Sequence, residues 1–139
     1  MCEDDVDAVI SLELISFTTP WTRTSFYEEL NNPRSILKIA ESNQNVIGYI
    51  CCSHVHDEGH VLNLAVNTPY RRKGIASLLV EDSLAVLKDL GCKDVYLEVR
   101  ASNRAAIEMY NTLRFKQVGR RKDYYRKPRE DAVIMKLNL

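Results

Sequence analysis

The residues with the clearest chemical potential lie in Arg71-Arg72-Lys73-Gly74-Ile75-Ala76, a basic loop with one glycine between a strand-like run and a helix-like run. A helix that begins there leaves backbone N–H groups unpaired at its electropositive end, where a phosphate or diphosphate binds. Gly74 admits an anion to the backbone without an intervening side chain, and the small Ala76 keeps that approach open. Arg71, Arg72 and Lys73 concentrate positive charge in a chain whose 19 Lys and Arg balance its 19 Asp and Glu. The plainer alternative is a basic loop that turns into a solvent-capped helix, and the loop alone does not separate the two. Two other phosphate readers are excluded by inspection, because the chain has no G-x-x-x-x-G-K-S/T and no G-x-G-x-x-G after a strand.

Other reactive side chains are scattered. Glu98 falls mid-strand, opposite the face of Val95, Leu97 and Val99, where a solvated charge and a catalytic carboxylate read alike. Tyr110 is at helical spacing, either a core aromatic or a phenol able to give a proton. Asn103 caps a helix and offers an amide to a ligand at the same time. Cys52, His54 and His56 alternate at period two with His60 beyond a turn, a conceivable zinc set, yet no pair has a recognised finger spacing and no metal is expected. Arg120, Arg121, Lys122, Arg126, Lys127 and Arg129 surround Tyr124 and Tyr125, a mixture found on RNA-binding surfaces. A solvated hairpin rim is the preferred reading, peptide recognition by the tyrosines the next, and no direct nucleic-acid contact is expected.

These residues must be held by a common frame. With 139 residues, no repeat and no Pro/Gly/Ser linker, the chain is read as one domain over 1–139, large enough to bury a core without staples. Apolar positions Val6, Val9, Ile10 and Leu14 behind Asp4 and Asp5 predict a helix over Asp5 to Ser16, and Thr22 or Thr24 caps a short second one ended by Asn31-Asn32-Pro33. Ser35 to Ala40, Val46 to Val55 and His60 to Asn67 read as three antiparallel strands joined by tight turns. Ile75, Leu78, Leu79, Leu84, Ala85 and Leu87 predict a long helix closed at Gly91. Val95 to Val99 follows as a strand placed parallel to the third by that helical crossover. A helix from Ser102 or Asn103 to Thr112, with Ala106, Ile107 and Tyr110 inward, precedes closing strands Phe115 to Arg120 and Ala132 to Leu137, which flank a polar segment Lys122 to Asp131. The fold class is α+β, a mixed, mostly antiparallel sheet flanked by helices.

Composition narrows the setting. Balanced charge provides no field toward nucleic acid or an anionic membrane. The four cysteines, Cys2, Cys51, Cys52 and Cys92, form no C-x-x-C, and the acidic start lacks a leader's pattern. No apolar run approaches the roughly 18 residues of a membrane span. A reduced, cytoplasmic protein without membrane contact, and a monomer, is the expectation.

Arg71 to Ala76 resembles the Q/R-x-x-G-x-G/A signature of the GNAT acetyltransferase superfamily, in which that loop binds the coenzyme A pyrophosphate. Leu97 to Tyr110 resembles the superfamily's second signature at the expected separation. Leu97 through Asn103, Ala106-Ile107, Tyr110, Tyr124-Tyr125 and Arg129-Glu130-Asp131-Ala132, with Pro20-Trp21 upstream, resemble the RimI branch, which acetylates the N-terminal alanine of a small-subunit ribosomal protein.

The resemblance implies acetyl-CoA as co-substrate and direct transfer, through a tetrahedral intermediate, to the N-terminal amine of a ribosomal protein. It implies Glu98 as base, Tyr110 as acid, Asn103 at the pantetheine, Arg71 through Ala76 at the diphosphate, and Trp21 and Tyr125 at the peptide. Backbone groups of Leu64, Ala65 and Val66 are then suited to pair with pantetheine as an added strand would, with the Val66 N–H facing the oxyanion.

Two departures stand out. Little or no first strand precedes the opening helix, so the expectation is that either the sheet lacks an edge or the domain begins imperfectly, and Arg114 stands where the superfamily usually has a glycine, which predicts a left-handed arginine or a different turn. Transfer to a small amine or a lysine remains a rival, as does a non-catalytic coenzyme A- or RNA-binding module.

Overall fold

The computed structural model describes residues 1–139. Four helices, α1 (Val6–Ser16), α2 (Arg23–Leu30), α3 (Ile75–Asp89) and α4 (Arg104–Thr112), are threaded through six strands. The strands are β1 (Ser35–Ser42), β2 (Asn45–Val55), β3 (Glu58–Val66), β4 (Asp94–Arg100), β5 (Lys116–Arg126) and β6 (Arg129–Asn138). They form one sheet in the order β1-β2-β3-β4-β6-β5. Every neighbour pair is antiparallel except β3 with β4, the pair joined by the α3 crossover. The fold is thus the expected mixed, mostly antiparallel sheet with helices packed on it.

The two faces bury separate cores. On one, Leu79, Val80 and Leu87 of α3 and Tyr110 of α4 pack with Ile50, Val95, Leu97 and Met135 of the strands. On the other, Val6, Val9 and Leu12 of α1 and Phe26 of α2 close over Tyr49 and Ala65. Cys51 and Cys52 point to opposite faces, and both are fully buried because both faces are covered.

Local signals behave as their chemistry dictates. Thr22 accepts from the Ser25 N–H at the start of α2, and Asn103 accepts from the Ala106 N–H at the start of α4. Gly91 ends α3 in a left-handed conformation, with the Cys92 N–H returning to the Leu87 carbonyl. Arg114 takes the same role after α4 at φ 74°, with the Phe115 N–H bonded to the Tyr110 carbonyl. The arginine therefore holds the left-handed position itself.

Three expectations need correction. The closing strands do not stop at Arg120 and resume at Ala132: β5 runs on to Arg126 and β6 starts at Arg129, so most of the polar segment Lys122 to Asp131 lies within them. Strand pairing needs only backbone groups, and a hairpin rim projecting beyond the core keeps its polar side chains in water. In α3 the buried positions are Leu79, Val80, Ser83 and Leu87, while Leu78 is 60% exposed. In α1 the buried face holds Glu13, and Leu14 is 64% exposed. Helices apolar on several sides carry no unique inward stripe, so the sheet decides which side is covered. At the β1 edge of the sheet the Met1 amine donates to the Leu37 carbonyl.

Candidate functional site

The site begins where β3 and β4 part. Their parallel ladder extends only from Glu58 with Asp94 to Val61 with Leu97, and beyond it neither strand pairs with the other. On its opposite edge β3 carries a bulge, because Cys52 pairs with Val61 and Cys51 with Asn63, leaving Leu62 without a partner. The extra residue resets the alternation: Val61 and Leu64 join the α3 core, while Ala65 faces α1 and α2. A wedge thus opens in the middle of the sheet, flanked by the edge of β3 from Leu62 to Val66 that β4 leaves unpaired, where the Leu64 N–H donates to Asn63 Oδ1 and Arg71 Nε to the Val66 carbonyl.

A cleft of about 810 Å³ lies at this opening. Leu64, Ala65 and Val66 line one wall, Asn103, Ala106 and Met109 another, and Arg71, Arg72, Gly74, Ile75 and Ala76 the end formed by α3. Gly74 sits at φ 80° with no atom within 4 Å of where a Cβ would lie. Arg72 is also left-handed, at φ 62°. Two left-handed residues in this short turn, followed by the unpaired first N–H groups of α3, make a concave set of donors suited to an anion.

The three cations diverge. Arg71 donates from Nε to the Val66 carbonyl at 2.9 Å, tying the loop to β3, while Lys73 lies 5.8 Å from the Tyr70 ring centroid and does not line the cleft. Arg72 does line it. Residues present therefore fit an elongated ligand with an anionic end against α3 and a polar stem along β3.

Glu98 opens to a second hollow, of about 320 Å³, with His60, Tyr96 and Arg121. His60 Nε2 and Glu98 Oε2 are 2.5 Å apart. That hydrogen bond holds the Glu98 carboxyl below its ordinary range against the opposing effect of burial, and Arg121 contributes in the same direction. In the sequence His60 stands only in a conceivable zinc set, and nothing near it points to this pairing. The signal was thin: His60 and Glu98 are 38 residues apart and meet only because β3 and β4 are parallel neighbours. Cys52 is fully buried in the α3 core, away from the hollow that His54 and His60 line, and no cluster of three ligating side chains occurs.

Tyr110 is 6% exposed and packs edge-on against Phe115, with burial pushing its phenol well above the ordinary range. It keeps its proton at neutral pH. Tyr125 lies under the Arg100 guanidinium, 4.3 Å from the ring centroid, and burial pushes its phenol up to about 12. Trp21 packs at a tilt against Phe26, ring centroids 5.3 Å apart, and lines neither hollow. The loop carrying Trp21 is tethered to the β5–β6 hairpin by Thr18 Oγ1, which donates to the Lys127 carbonyl at 2.5 Å.

Residues 6–115 match the Acetyltransferase (GNAT) family. The chain belongs to that family. Over 133 residues this acetyltransferase is 35% identical to the putative ribosomal protein bS18-alanine N-acetyltransferase of Bacillus subtilis, covering 95% of this chain and 88% of the relative. It is also 35% identical over 145 residues to an N-alpha-acetyltransferase of Saccharolobus solfataricus, covering 95% and 86%. Its fold superposes on the crystal structure of the ribosomal-protein-S18-alanine N-acetyltransferase from Escherichia coli with TM-score 0.91, at 31% identity, covering 99% of this chain and 90% of the other. Members of the family use acetyl-CoA, the elongated, diphosphate-bearing molecule that the cleft of this acetyltransferase fits.

Proposed function

We propose that this acetyltransferase moves the acetyl group of acetyl-CoA to the N-terminal amine of a protein, with the alanine terminus of a ribosomal protein as its substrate. The observation that carries the reading is the opening between β3 and β4, which puts the β3 edge that β4 leaves unpaired and the α3 N-terminus on one cleft and the His60–Glu98 pair beside the same splayed strands. The similarity to bS18-alanine and N-alpha-acetyltransferases supports the acceptor.

The donor supplies an acetyl group activated as a thioester. Gly74, Ile75 and Ala76 present backbone N–H groups and Arg72 a cation to its diphosphate. The β3 edge from Leu64 to Val66 receives the pantetheine through the backbone groups that Asn63 and Arg71 leave open, the Val66 N–H faces the carbonyl oxygen, and Asn103 flanks the stem. An α-amine has a pKa near 8, so only a modest proton transfer is needed as it docks. Glu98, ionised and bonded to His60, accepts that proton, directly or through water. The C–N bond forms, the C–S bond breaks, and Tyr110 gives its proton to the departing sulfur.

The transfer is direct. Cys51 and Cys52 are wholly buried, with the Cys52 thiol pushed up to about 12 by burial, so neither serves as a thiolate nucleophile. Trp21 and Tyr125, on the loop and hairpin that Thr18 joins, flank the peptide.

Mass spectrometry after incubation with acetyl-CoA and a ribosomal-protein N-terminal peptide tests the reading, with a single acetyl at the α-nitrogen as the expected product. Acetylation of a lysine in a peptide with a blocked terminus, or of free polyamine only, would overturn the acceptor.

A further inference from the structure

Glu13 has no role in the steps above, yet it is the only charged residue in the buried set, with no exposed surface at all. A buried carboxylate is costly unless its lone pairs are filled. Here one oxygen accepts from the Trp21 backbone N–H at 2.7 Å and the other from Asn63 Nδ2 at 2.5 Å. Asn63 in turn accepts from the Leu64 N–H through Oδ1 at 3.1 Å, at the point where β3 resumes pairing after the Leu62 bulge. One chain of hydrogen bonds thus spans from the loop between α1 and α2 to the stretch of β3 that β4 leaves unpaired.

Building on the N-terminal acetyltransferase reading, we propose that Glu13 is a positioning residue that fixes the Trp21 loop, on the acceptor side, relative to Leu64 to Val66, on the donor side. Nothing in the local sequence requires a carboxylate there. Glu13 occupies the helical face whose other buried positions are Val6, Val9 and Leu12, and an apolar side chain would fill it more cheaply if packing were its only task.

The direction of every bond in the chain is dictated by its ends. The Trp21 and Leu64 N–H groups are both donors, so the two side chains between them must together offer acceptors outward and one donor–acceptor match inward. Glutamate with asparagine satisfies this. Glu13→Gln alone sets a donor against a donor, however either amide is turned, and Asn63→Asp alone sets two carboxylates against each other. Glu13→Gln combined with Asn63→Asp restores every bond with its polarity reversed at the centre.

Steady-state kinetics with an N-terminal peptide and acetyl-CoA, calorimetric titration with coenzyme A, and thermal melts on the full chain test this. Each single variant is expected to raise the peptide KM about tenfold, with coenzyme A affinity within about twofold of wild type. The double variant is expected to recover the peptide KM. Should the single variants fail to fold, the double variant decides alone. Wild-type peptide KM in a folded single variant, or a double variant that regains its melting temperature but not its peptide KM, overturns the positioning role. A wild-type chain that binds coenzyme A yet acetylates no peptide overturns the parent reading, an outcome distinct from unaltered variants of an active enzyme.

Discussion

Gly74 and Gly91 allow the coenzyme assignment to be separated from ordinary backbone strain. Both are left-handed, at φ 80° and 91°, and at neither would a Cβ meet any atom within 4 Å. A left-handed conformation disfavours a side chain by roughly 1–2 kcal/mol. The smaller conformational freedom of alanine in the unfolded chain offsets about 0.4–1 kcal/mol of that. Gly74→Ala and Gly91→Ala should therefore each cost about 1 kcal/mol with no steric contribution. At roughly 2.1 cal/mol/K of unfolding entropy per residue, a chain of 139 residues has about 0.29 kcal/mol/K, so each variant should melt about 3 °C lower.

Function should part the two. Gly74 lines the cleft where α3 begins, whereas Gly91 follows the far end of the same helix. A methyl at Gly74 stands between an approaching phosphate and the backbone N–H groups, which lengthens and misaligns bonds that weaken steeply with geometry. Calorimetry with coenzyme A should give a dissociation constant raised about tenfold or more for Gly74→Ala, on the scale of one charge-assisted hydrogen bond, and unchanged for Gly91→Ala. Equal affinities in the two variants, alongside equal losses of melting temperature, would refute diphosphate binding at the α3 N-terminus. A Gly74→Ala variant with undiminished stability would refute the strain argument instead.

Other predictions follow from the same geometry. Glu98→Gln and Tyr110→Phe should each lower kcat, by about 10²-fold or more for the loss of an acid–base group, while leaving coenzyme A affinity nearly intact; undiminished turnover in both would remove the proposed chemistry. His60→Ala takes away the hydrogen bond that lowers the Glu98 carboxyl and leaves burial, which raises it, with Arg121 still in place. The Glu98 pKa should then rise, and the acidic limb of the pH profile of kcat/KM, where the base becomes protonated, should move to higher pH; a limb that stays or falls contradicts the pairing. Arg114 holds a left-handed cap at φ 74° that a glycine adopts freely, so Arg114→Gly should stabilise the chain by about 0.5–1 kcal/mol, and a lower melting temperature would count against that account.

Local chemistry made much of this molecule readable from its residues alone. Asn103 and Thr22 cap helices because their side-chain oxygens reach free N–H groups, and Gly74 and Gly91 bracket α3 because a left-handed turn suits glycine. Alternation of Val95, Leu97 and Val99 placed Glu98 on the face away from the α3 core, and the helical crossover implied that β3 and β4 run parallel. Tertiary structure decided what depends on residues distant in the chain. The Leu62 bulge and the parting of β3 from β4 exist only as relations between strands, so no periodicity within one strand reveals them. The same holds for His60 against Glu98, and for Glu13 buried while Leu14 beside it stays exposed. Sequence sets what each segment can form by itself, whereas which side chains lose water and which carboxylate meets which donor is fixed when the segments pack together.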